Sequence, residues 1–503
     1  MNLATIIDEQ PDGHTALVAG MDRISYGRLR DAVARQRAVL LARGLEPGDR
    51  VAIVCGTTPR FVTAWLAVVG AGLVAVPLNP SSPAPELAAQ LATTGARAVI
   101  AGPAGAAVLA DVDTAALPDL DHVLTPAGSA TGDDLDALTE AAEPAGVVDV
   151  DPDHLAALMF TSGTAGSPRA AMLSHANLAA DLRQVQAHPA RAVRPDDVVL
   201  CVVPLFHILG LNTVLDLALY AGATIVLLER FDPVSTLETV AAESVTALVG
   251  PPAMWAALAE VDDPPLDALA HLRIAVSGAA PLSRRVADTV RERLGIGLHQ
   301  GYGLTEASPS VSISLGTGAP VTSVGRPLAG VEVRLVDRDG DDTLVGDPGE
   351  IWVRGPNVFS GYWNDPEATA AALDPSGWLH TGDIGLVDDD GYLYVVDRAK
   401  DLVIVSGFNV YPAEVERVLV SHPAVAEAAV VGVPHPHTGE AVKAFVVPAE
   451  GSVVEEDELV EWVAARLARY KCPTKIDLVD EIPRGLTGKV LRRSFRGDGP
   501  DDT

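Results

Sequence analysis

Short apolar runs alternate with helical patterns through the first 300 residues, and this alternation limits the fold more than any other feature of the chain. The runs are brief and rich in Val, Ile and Leu, as strands buried on both faces are. Strands are predicted over 51–56, 98–101, 155–160, 198–203, 223–228, 245–249 and 273–277. Helices are predicted between them, for example over 59–70 and 283–294. An α/β architecture follows, in which helices cover mixed or parallel sheets.

Beyond about residue 320 the pattern changes to short alternating strands separated by Gly, Asp and Pro. The strands predicted over 331–337, 349–355 and 391–397 indicate a small antiparallel or barrel-like unit. A compact α+β pattern comes last, with helices over 412–421 and 456–470 and strands over 425–433 and 442–447. The patterns therefore predict a boundary near 397–400.

Length and charge limit the class of protein. A chain of 503 residues is too long for one hydrophobic core, so two or more domains are expected. The formal net charge of -31 repels polyanions, which argues against nucleic acid as a partner. Any site for a small polyanion must then be locally positive.

The cysteines and the apolar runs indicate a cellular compartment. Three cysteines, at 55, 201 and 472, are typical of a reducing cytosol rather than a disulfide framework. The N-terminus has no basic segment followed by an apolar core, and the longest apolar run, 64–78, is too short to span a membrane. A soluble cytoplasmic protein without an integral membrane segment is expected.

The stretch FTSGTAGSPR at 160–169 concentrates Gly, Ser and Thr between two apolar segments. Glycines allow unusual backbone dihedral angles, so hydroxyls and consecutive N–H groups can converge on phosphate oxygens. An ordinary solvated turn has a similar composition. The stretch is not a Walker A loop, because no Gly-Lys-Ser/Thr follows.

Four further stretches raise the weight of the phosphate interpretation: GYGLTE at 301–306, HTGD at 380–383, DRAKDLVIVSGFNVYPAEVE at 397–416 and PRGLTGKVLRR at 483–493. In order and spacing, the five motifs resemble the adenylate-forming superfamily of acyl-CoA synthetases, peptide-synthetase adenylation domains and luciferases. The resemblance covers nearly the whole chain. It implies a large N-terminal AMP-binding domain (1–397), a hinge (398–400) and a small mobile C-terminal domain (401–503). It also implies ATP, Mg²⁺ and coenzyme A.

The resemblance assigns the phosphate side of ATP to two motifs. The glycine-rich loop supplies Thr161, Ser162, Gly163, Thr164, Gly166 and Arg169. The family commonly has Thr where Ala165 stands and Lys-Gly where Arg169-Ala170 stand. This chain therefore lacks one hydroxyl, and it has a planar guanidinium in place of a lysine ammonium. In the second motif, Thr305 is placed to reach the α-phosphate. Glu306 supplies a carboxylate suited to Mg²⁺, with Thr161 as the other metal-side residue.

The resemblance assigns the nucleoside to other positions. Tyr302, between Gly301 and Gly303, offers a flat face for stacking on adenine. The segment Gly278-Ala279-Ala280 resembles the family backbone that passes beside the adenine, although a small-residue turn is the alternative. Asp383 suits the ribose diol, because a carboxylate accepts two hydroxyl hydrogen bonds. Arg398 is similar to the family arginine that also contacts the ribose.

The remaining positions concern domain motion and the acid. Lys400 occupies the hinge position, and Gly407 resembles the glycine that lets the pantetheine thiol pass close to the backbone. Lys489 corresponds to the adenylation lysine, which neutralises charge between the carboxylate and the α-phosphate. His207, in PLFHILG, matches a position near the acyl pocket, although a core histidine carries comparable weight.

The prediction is therefore an ATP-dependent acyl-CoA synthetase, an AMP-forming acid–thiol ligase. A fatty acid is the favoured substrate, from the resemblance around PLFHILG and SGAAPL, and an aromatic acid is the alternative. An acyl-AMP ligase that loads a carrier protein stays open. The spacing of Asp383 and Arg398 disfavours it, because some such ligases carry an insertion there. A non-enzymatic nucleotide-binding descendant is a further alternative, and a homodimer is left open.

Overall fold

The computed structural model describes residues 2–161, 169–190, 192–398, 401, 403–405, 408–435, 439–467, 469–484 and 490–495. Described residues form two compact units. The first contains 1–278, 282–332 and 353–379, and the second contains 279–281, 333–352 and 380–503. No helix in the described part of the chain is long and apolar enough to cross a membrane.

The strands are numbered in chain order. They are β1 Thr15–Ala19, β2 Asp22–Ser25, β3 Arg50–Val54, β4 Val74–Pro77, β5 Ala98–Ala101, β6 His122–Thr125, β7 Asp133–Asp134, β8 Leu155–Thr161, β9 Arg169–Ser174, β10 Val198–Cys201, β11 Thr224–Leu227, β12 Ala247–Gly250, β13 Ile274–Ser277, β14 His299–Gly303, β15 Ser310–Ile313, β16 Arg326–Pro327, β17 Glu332–Val336, β18 Gly349–Arg354, β19 Leu379–Val387, β20 Leu393–Arg398, β21 Val403–Val405, β22 Phe408–Val410, β23 Val425–His435, β24 Gly439–Pro448 and β25 Lys475–Leu478.

The α-helices are α1 Tyr26–Ala42, α2 Pro59–Gly70, α3 Ala84–Thr94, α4 Pro103–Leu109, α5 Leu135–Ala141, α6 His175–Gln186, α7 Leu217–Ala221, α8 Pro233–Ala242, α9 Pro252–Glu260, α10 Leu266–Leu269, α11 Arg284–Leu294, α12 Pro366–Ala372, α13 Pro412–Val420 and α14 Glu456–Ala464. A π-helix, Leu209–Asp216, leads directly into α7. Short 3₁₀ helices cover Leu3–Ile7, Thr114–Ala116, Thr305–Ala307, Arg469–Lys471 and Arg492–Phe495.

Two large sheets form the first unit. One has nine strands in the order β16-β15-β14-β13-β12-β10-β11-β1-β2, and the other has seven in the order β7-β6-β5-β3-β4-β8-β9. Their central strands pair in parallel, and antiparallel pairs lie toward the edges. Central strands such as β5 and β12 are buried along their whole length, as is typical of strands covered on both faces. This confirms the predicted α/β class.

Two smaller sheets belong mainly to the second unit. Strands β17-β18-β19-β20 form a four-stranded sheet where the antiparallel or barrel-like unit was predicted. The other sheet has the order β22-β21-β24-β23, with β25 paired to β24. Its apolar face packs with α13 and α14 into one core that includes Val415, Leu419, Leu459 and Val463.

Most predicted elements agree with the structure to within a few residues, and one helix differs. The helix predicted over 456–470 ends at Ala464, and a 3₁₀ turn occupies Arg469–Lys471. Strand β19 was not predicted, because its sequence LHTGDIGLV breaks the apolar alternation with two glycines. The domain boundary and the hinge at 398–400 stay a prediction.

Candidate active site

Three predicted site segments follow strands whose carboxyl ends lie at one edge of the nine-stranded sheet. Strands β10, β12, β13 and β14 are neighbours there and run parallel. His207 lies in the turn after β10, Gly278 directly follows β13, and Tyr302 lies near the end of β14. Ligands bind at this edge in open α/β sheets. The topology of the first unit therefore gathers residues that are far apart in the sequence.

The end of β14 is shaped by a close backbone approach. A Cβ atom added to Gly303 would lie 2.1 Å from the carbonyl oxygen of Pro309, so only glycine fits. The pairing of β14 with β15 shifts register between Tyr302 and Gly303. The chain then turns into the 3₁₀ helix that contains Thr305 and Glu306. This turn places the predicted metal ligand directly beyond the strand end.

The carboxylate of Glu306 is held by a tyrosine that lies 56 residues further along the chain. The hydroxyl of Tyr362 donates a 2.7 Å hydrogen bond to Oε1 of Glu306. Burial of the phenol, and then the nearby Glu306 charge, raise the pKa of Tyr362. The hydroxyl therefore keeps its proton at neutral pH and acts as a donor. Within the described residues no other hydrogen bond reaches this carboxylate, which leaves Oε2 for a ligand.

This arrangement fits a magnesium ion. Mg²⁺ is commonly bound by one or two carboxylates together with substrate phosphates and water. The described residues contain no group of three or more His, Cys, Asp or Glu side chains that could form a protein cage for a metal. Bound at Glu306, Mg²⁺ would neutralise negative charge on the phosphates of ATP.

Arg169 lies beside the tyrosine that holds Glu306. Its Nε donates to Oδ2 of Asp365 at 2.9 Å, and its guanidinium carbon lies 5.7 Å from the centre of the Tyr362 ring. The segment around Tyr362 also pairs with β9, because the backbone N–H of Trp363 donates to the carbonyl of Ala170. Arg169 thus braces the tyrosine that holds Glu306, and its predicted contact with phosphate stays a prediction.

Two buried amides fix the backbone that directly follows Glu306. Asn357 Nδ2 donates to the carbonyls of Ala307 and Ser310, at 2.7 and 2.9 Å. Asn212 Nδ2, on the π-helix that follows His207, donates to the carbonyl of Ser308 at 2.6 Å. Both asparagines are fully buried. Several elements of the first unit therefore hold this site together. We name Glu306 with Tyr362, Arg169, Asn357 and Asn212 the Glu306 corner.

The glycine-rich loop connects two antiparallel strands. Thr161 ends β8 and is the register partner of Arg169, which begins β9. The strands thus hold the two ends of the loop side by side. Ser162, Gly163, Thr164 and Gly166 lie outside the described residues, as do Lys400, Gly407 and Lys489. Their roles stay predictions.

The motif HTGD forms a turn inside β19, in the second unit. Asp383 is nearly buried, and its register partner across the sheet is Arg398 on β20. The two residues predicted to contact the ribose are therefore direct neighbours on paired strands. Gly382 has φ +68°, a left-handed conformation that favours glycine. Residues 381–383 are called the TGD turn below.

The predicted acyl and adenine segments meet at glycine backbones. A Cβ atom added to Gly278 would lie 3.7 Å from the carbonyl oxygen of Gly301 and 3.9 Å from Cδ1 of Leu209. Leu209 begins the π-helix two residues after His207, whose ring lies 4.8 Å from that of Phe206. The next residue after Gly278, Ala279, has φ +66°. A Cβ atom at Gly278 would therefore make ordinary van der Waals contacts with the β14 backbone and with one apolar side chain.

Several contributors to these sites escaped the sequence analysis. Tyr362 and Asp365 lie in SGYWNDPE, and Glu350 lies in GEIWVRG, which was assigned only as a strand. The Ser-Gly and Asp-Pro pairs were signals that a structured turn follows β18. No local pattern shows that this turn reaches Glu306, since the contact depends on the tertiary fold.

Comparisons with known proteins identify the family of this chain. The AMP-binding enzyme family matches residues 3–363, and the AMP-binding enzyme C-terminal domain matches residues 414–489. Feruloyl-CoA synthase from Amycolatopsis sp is 40% identical over 484 residues, which are 96% of this chain and 95% of the relative. 4-Coumarate–CoA ligase 5 from Oryza sativa subsp. japonica is 38% identical over 488 residues, which are 94% of this chain and 89% of the relative.

A solved structure shares the fold over nearly the whole chain. ATP-bound MatB from Rhodopseudomonas palustris is 34% identical, with a TM-score of 0.92 and 98% of each chain covered. These matches span both predicted domains and include enzymes named for CoA ligation. The chain belongs to the AMP-binding, adenylate-forming enzyme family, as an AMP-forming acyl-CoA ligase that uses ATP, Mg²⁺ and coenzyme A.

Proposed function

We propose that this ligase activates an aromatic acid of the hydroxycinnamic type, rather than the fatty acid favoured by the motifs alone. The observation that carries the proposal is the 40% identity to feruloyl-CoA synthase over 95% of that enzyme. The 4-coumarate ligase relative supports the same class of acid.

We assign the described residues to the reaction as follows. Glu306 holds the cation beside the phosphates through Oε2, while Tyr362 keeps Oε1 occupied. Asp383 and Arg398 bind the ribose from paired strands. Tyr302 stacks on adenine beside Gly278, Ala279 and Ala280. His207 and Leu209 border the acid.

The residues outside the described part of the chain act in different half-reactions of this proposal. Lys489 neutralises charge while the acid attacks the α-phosphorus and pyrophosphate leaves. Gly407 lines the path of the thiol in the second half-reaction, and Lys400 lies at the hinge. Thr161 and the loop after it hold the phosphates, with Arg169 at the far end.

An acid panel tests the substrate. The purified enzyme is given ATP, Mg²⁺ and one acid at a time, from 4-coumaric, ferulic, benzoic, hexanoic and palmitic acids, with and without coenzyme A. Pyrophosphate release and acyl-CoA by mass spectrometry are measured. We expect the highest kcat/KM with the two hydroxycinnamic acids. A higher kcat/KM with hexanoic or palmitic acid would restore the fatty-acid prediction.

The variant Lys489→Ala tests the order of the half-reactions. It should abolish pyrophosphate release from free acid and ATP but make acyl-CoA from supplied acyl-AMP at close to the parent rate. The lysine charge is needed only while pyrophosphate departs. An equal loss of both half-reactions in a variant with the parent melting temperature would contradict this role.

A further inference from the structure

The TGD turn is held by hydrogen bonds to strand β18 of the same sheet. The hydroxyl of Thr381 donates to the carbonyl of Ile351 at 2.7 Å and accepts from the N–H of Asp383 at 3.1 Å. The backbone N–H of Gly382 donates to Oε1 of Glu350 at 2.9 Å. A carboxylate from the neighbouring strand therefore holds the left-handed residue beside Asp383.

The Glu350 carboxylate is itself fixed. Its other oxygen, Oε2, accepts a 3.1 Å hydrogen bond from Nε1 of Trp352. Glu350 and Trp352 lie two residues apart on β18, so their side chains share one face of the sheet. The Trp352 ring stacks on His380 with 3.8 Å between ring centres and 15° between planes. The guanidinium of Arg334 lies 5.7 Å from the same ring.

This arrangement matters because of where Asp383 stands in the chain. Gly382 has no side chain to fix its left-handed conformation, and a Cβ added there would meet nothing within 4 Å. The orientation of the next residue therefore depends on the hydrogen bonds of the turn. Each Glu350 oxygen accepts a hydrogen bond from a protein donor, and the two bonds together fix the orientation of this carboxylate.

We propose that Glu350, supported by Trp352, is a positioning residue for the ribose of ATP. It acts through the Gly382 N–H, which sets the direction of Asp383. The inference rests on the proposed function, in which Asp383 accepts hydrogen bonds from the ribose hydroxyls. Hydrogen bonds to two vicinal hydroxyls need a well-placed carboxylate, since they weaken steeply with misalignment.

The test compares ATP with 2′,3′-dideoxy-ATP, which lacks both hydroxyls. The KM of each nucleotide is measured by pyrophosphate release for the parent enzyme and for Glu350→Ala, Glu350→Gln, Trp352→Phe and Asp383→Ala. A misplaced Asp383 loses binding only to a nucleotide that has the hydroxyls. We expect Glu350→Ala to raise the KM for ATP about tenfold and to change that for dideoxy-ATP far less.

The other variants separate positioning from stability. Glu350→Gln keeps an oxygen acceptor and should therefore retain most of the preference for ATP over dideoxy-ATP. Trp352→Phe keeps a ring on His380 but removes the N–H donor, so a smaller loss in the same direction is expected even if Glu350→Ala fails to fold. Glu332→Ala, on the adjacent strand β17, removes a glutamate that pairs with Arg354 and should leave the preference unchanged.

Two results would overturn the inference, at different places. If Asp383→Ala abolishes the preference for ATP but Glu350→Ala and Trp352→Phe weaken both nucleotides equally or not at all, Glu350 has no positioning role. If the parent shows no preference, or Asp383→Ala keeps it, Asp383 does not bind the ribose. That second result overturns the proposed nucleoside assignment together with this inference.

Discussion

At the Glu306 corner a tyrosine donates a hydrogen bond to the carboxylate of the predicted metal ligand itself, whereas at the TGD turn a glutamate on β18 accepts from the backbone next to the predicted ribose ligand. Tyr362 donates directly to Glu306, and Asn357 and Asn212 fix the carbonyls that follow it. Asp383 is instead directed through the N–H of Gly382, which Glu350 accepts. The two regions lie in different compact units, and each is braced within its own.

The difference agrees with the roles proposed for the two carboxylates. A carboxylate that binds Mg²⁺ needs one oxygen directed at the ion. A hydrogen bond from a neutral hydroxyl to the other oxygen fixes the orientation of the carboxylate without cancelling its negative charge. For a carboxylate proposed to accept from two ribose hydroxyls, a hydrogen bond from the neighbouring backbone N–H controls the direction of the side chain and leaves its charge unchanged. Four substitutions test this contrast.

Glu306→Gln should have the largest effect. The amide keeps the shape and can still accept from Tyr362, but it loses the charge that binds a hard cation. We expect Mg²⁺-dependent pyrophosphate release to fall about 100-fold, the equivalent of losing a contact to a charged group. The control is Glu243→Gln, which changes a glutamate of the same unit that pairs with Arg23. Parent-level activity at low Mg²⁺ would remove Glu306 from the metal site.

Tyr362→Phe should raise the Mg²⁺ concentration for half-maximal activity about tenfold, since one hydrogen bond to a charged group is lost. The ring, and its contact with Arg169, are retained. Tyr394→Phe is the matched control, because its hydroxyl also bonds a carboxylate, that of Asp388, at 2.9 Å. An unchanged Mg²⁺ requirement in Tyr362→Phe would show that the direct bond does not position Glu306.

Gly382→Ala should raise the KM for ATP about fivefold, because an alanine in the left-handed region costs about 1–2 kcal/mol and the turn relaxes to relieve it. Gly391→Ala provides the comparison. Gly391 has φ +77° and open space around it, in the turn between β19 and β20. Both variants should lose similar thermal stability, and only the first should weaken ATP binding. Equal KM values in the two variants would contradict backbone control of Asp383.

Arg169→Lys should have the smallest effect. The ion pair with Asp365 is partly exposed, and such pairs contribute about 0–1 kcal/mol. We expect the KM for ATP to change by no more than about threefold. A loss above about tenfold, measured by the same pyrophosphate assay, would show that the guanidinium contacts phosphate and does more than brace Tyr362.

Much of the fold was predictable because buried strands and helices have a recognisable local pattern of apolar residues. Strand β5 and helix α2 have the predicted bounds, since a strand covered on both faces reads as a continuous apolar run. Strand β19 was missed because Gly382 and Asp383, which carry a predicted functional motif, weaken the strand pattern. Local rules thus failed where the chain carries a predicted ribose contact.

The sequence by itself determined the α/β class, the enzyme family and the motif positions such as Glu306 and Asp383. These depend on residue types in a fixed order along the chain. Only the tertiary structure brought Tyr362 to Glu306 across 56 residues and Glu350 to Gly382 across 32. A hydrogen bond between distant segments depends on how strands and turns pack, and nothing in the local sequence around either partner encodes it.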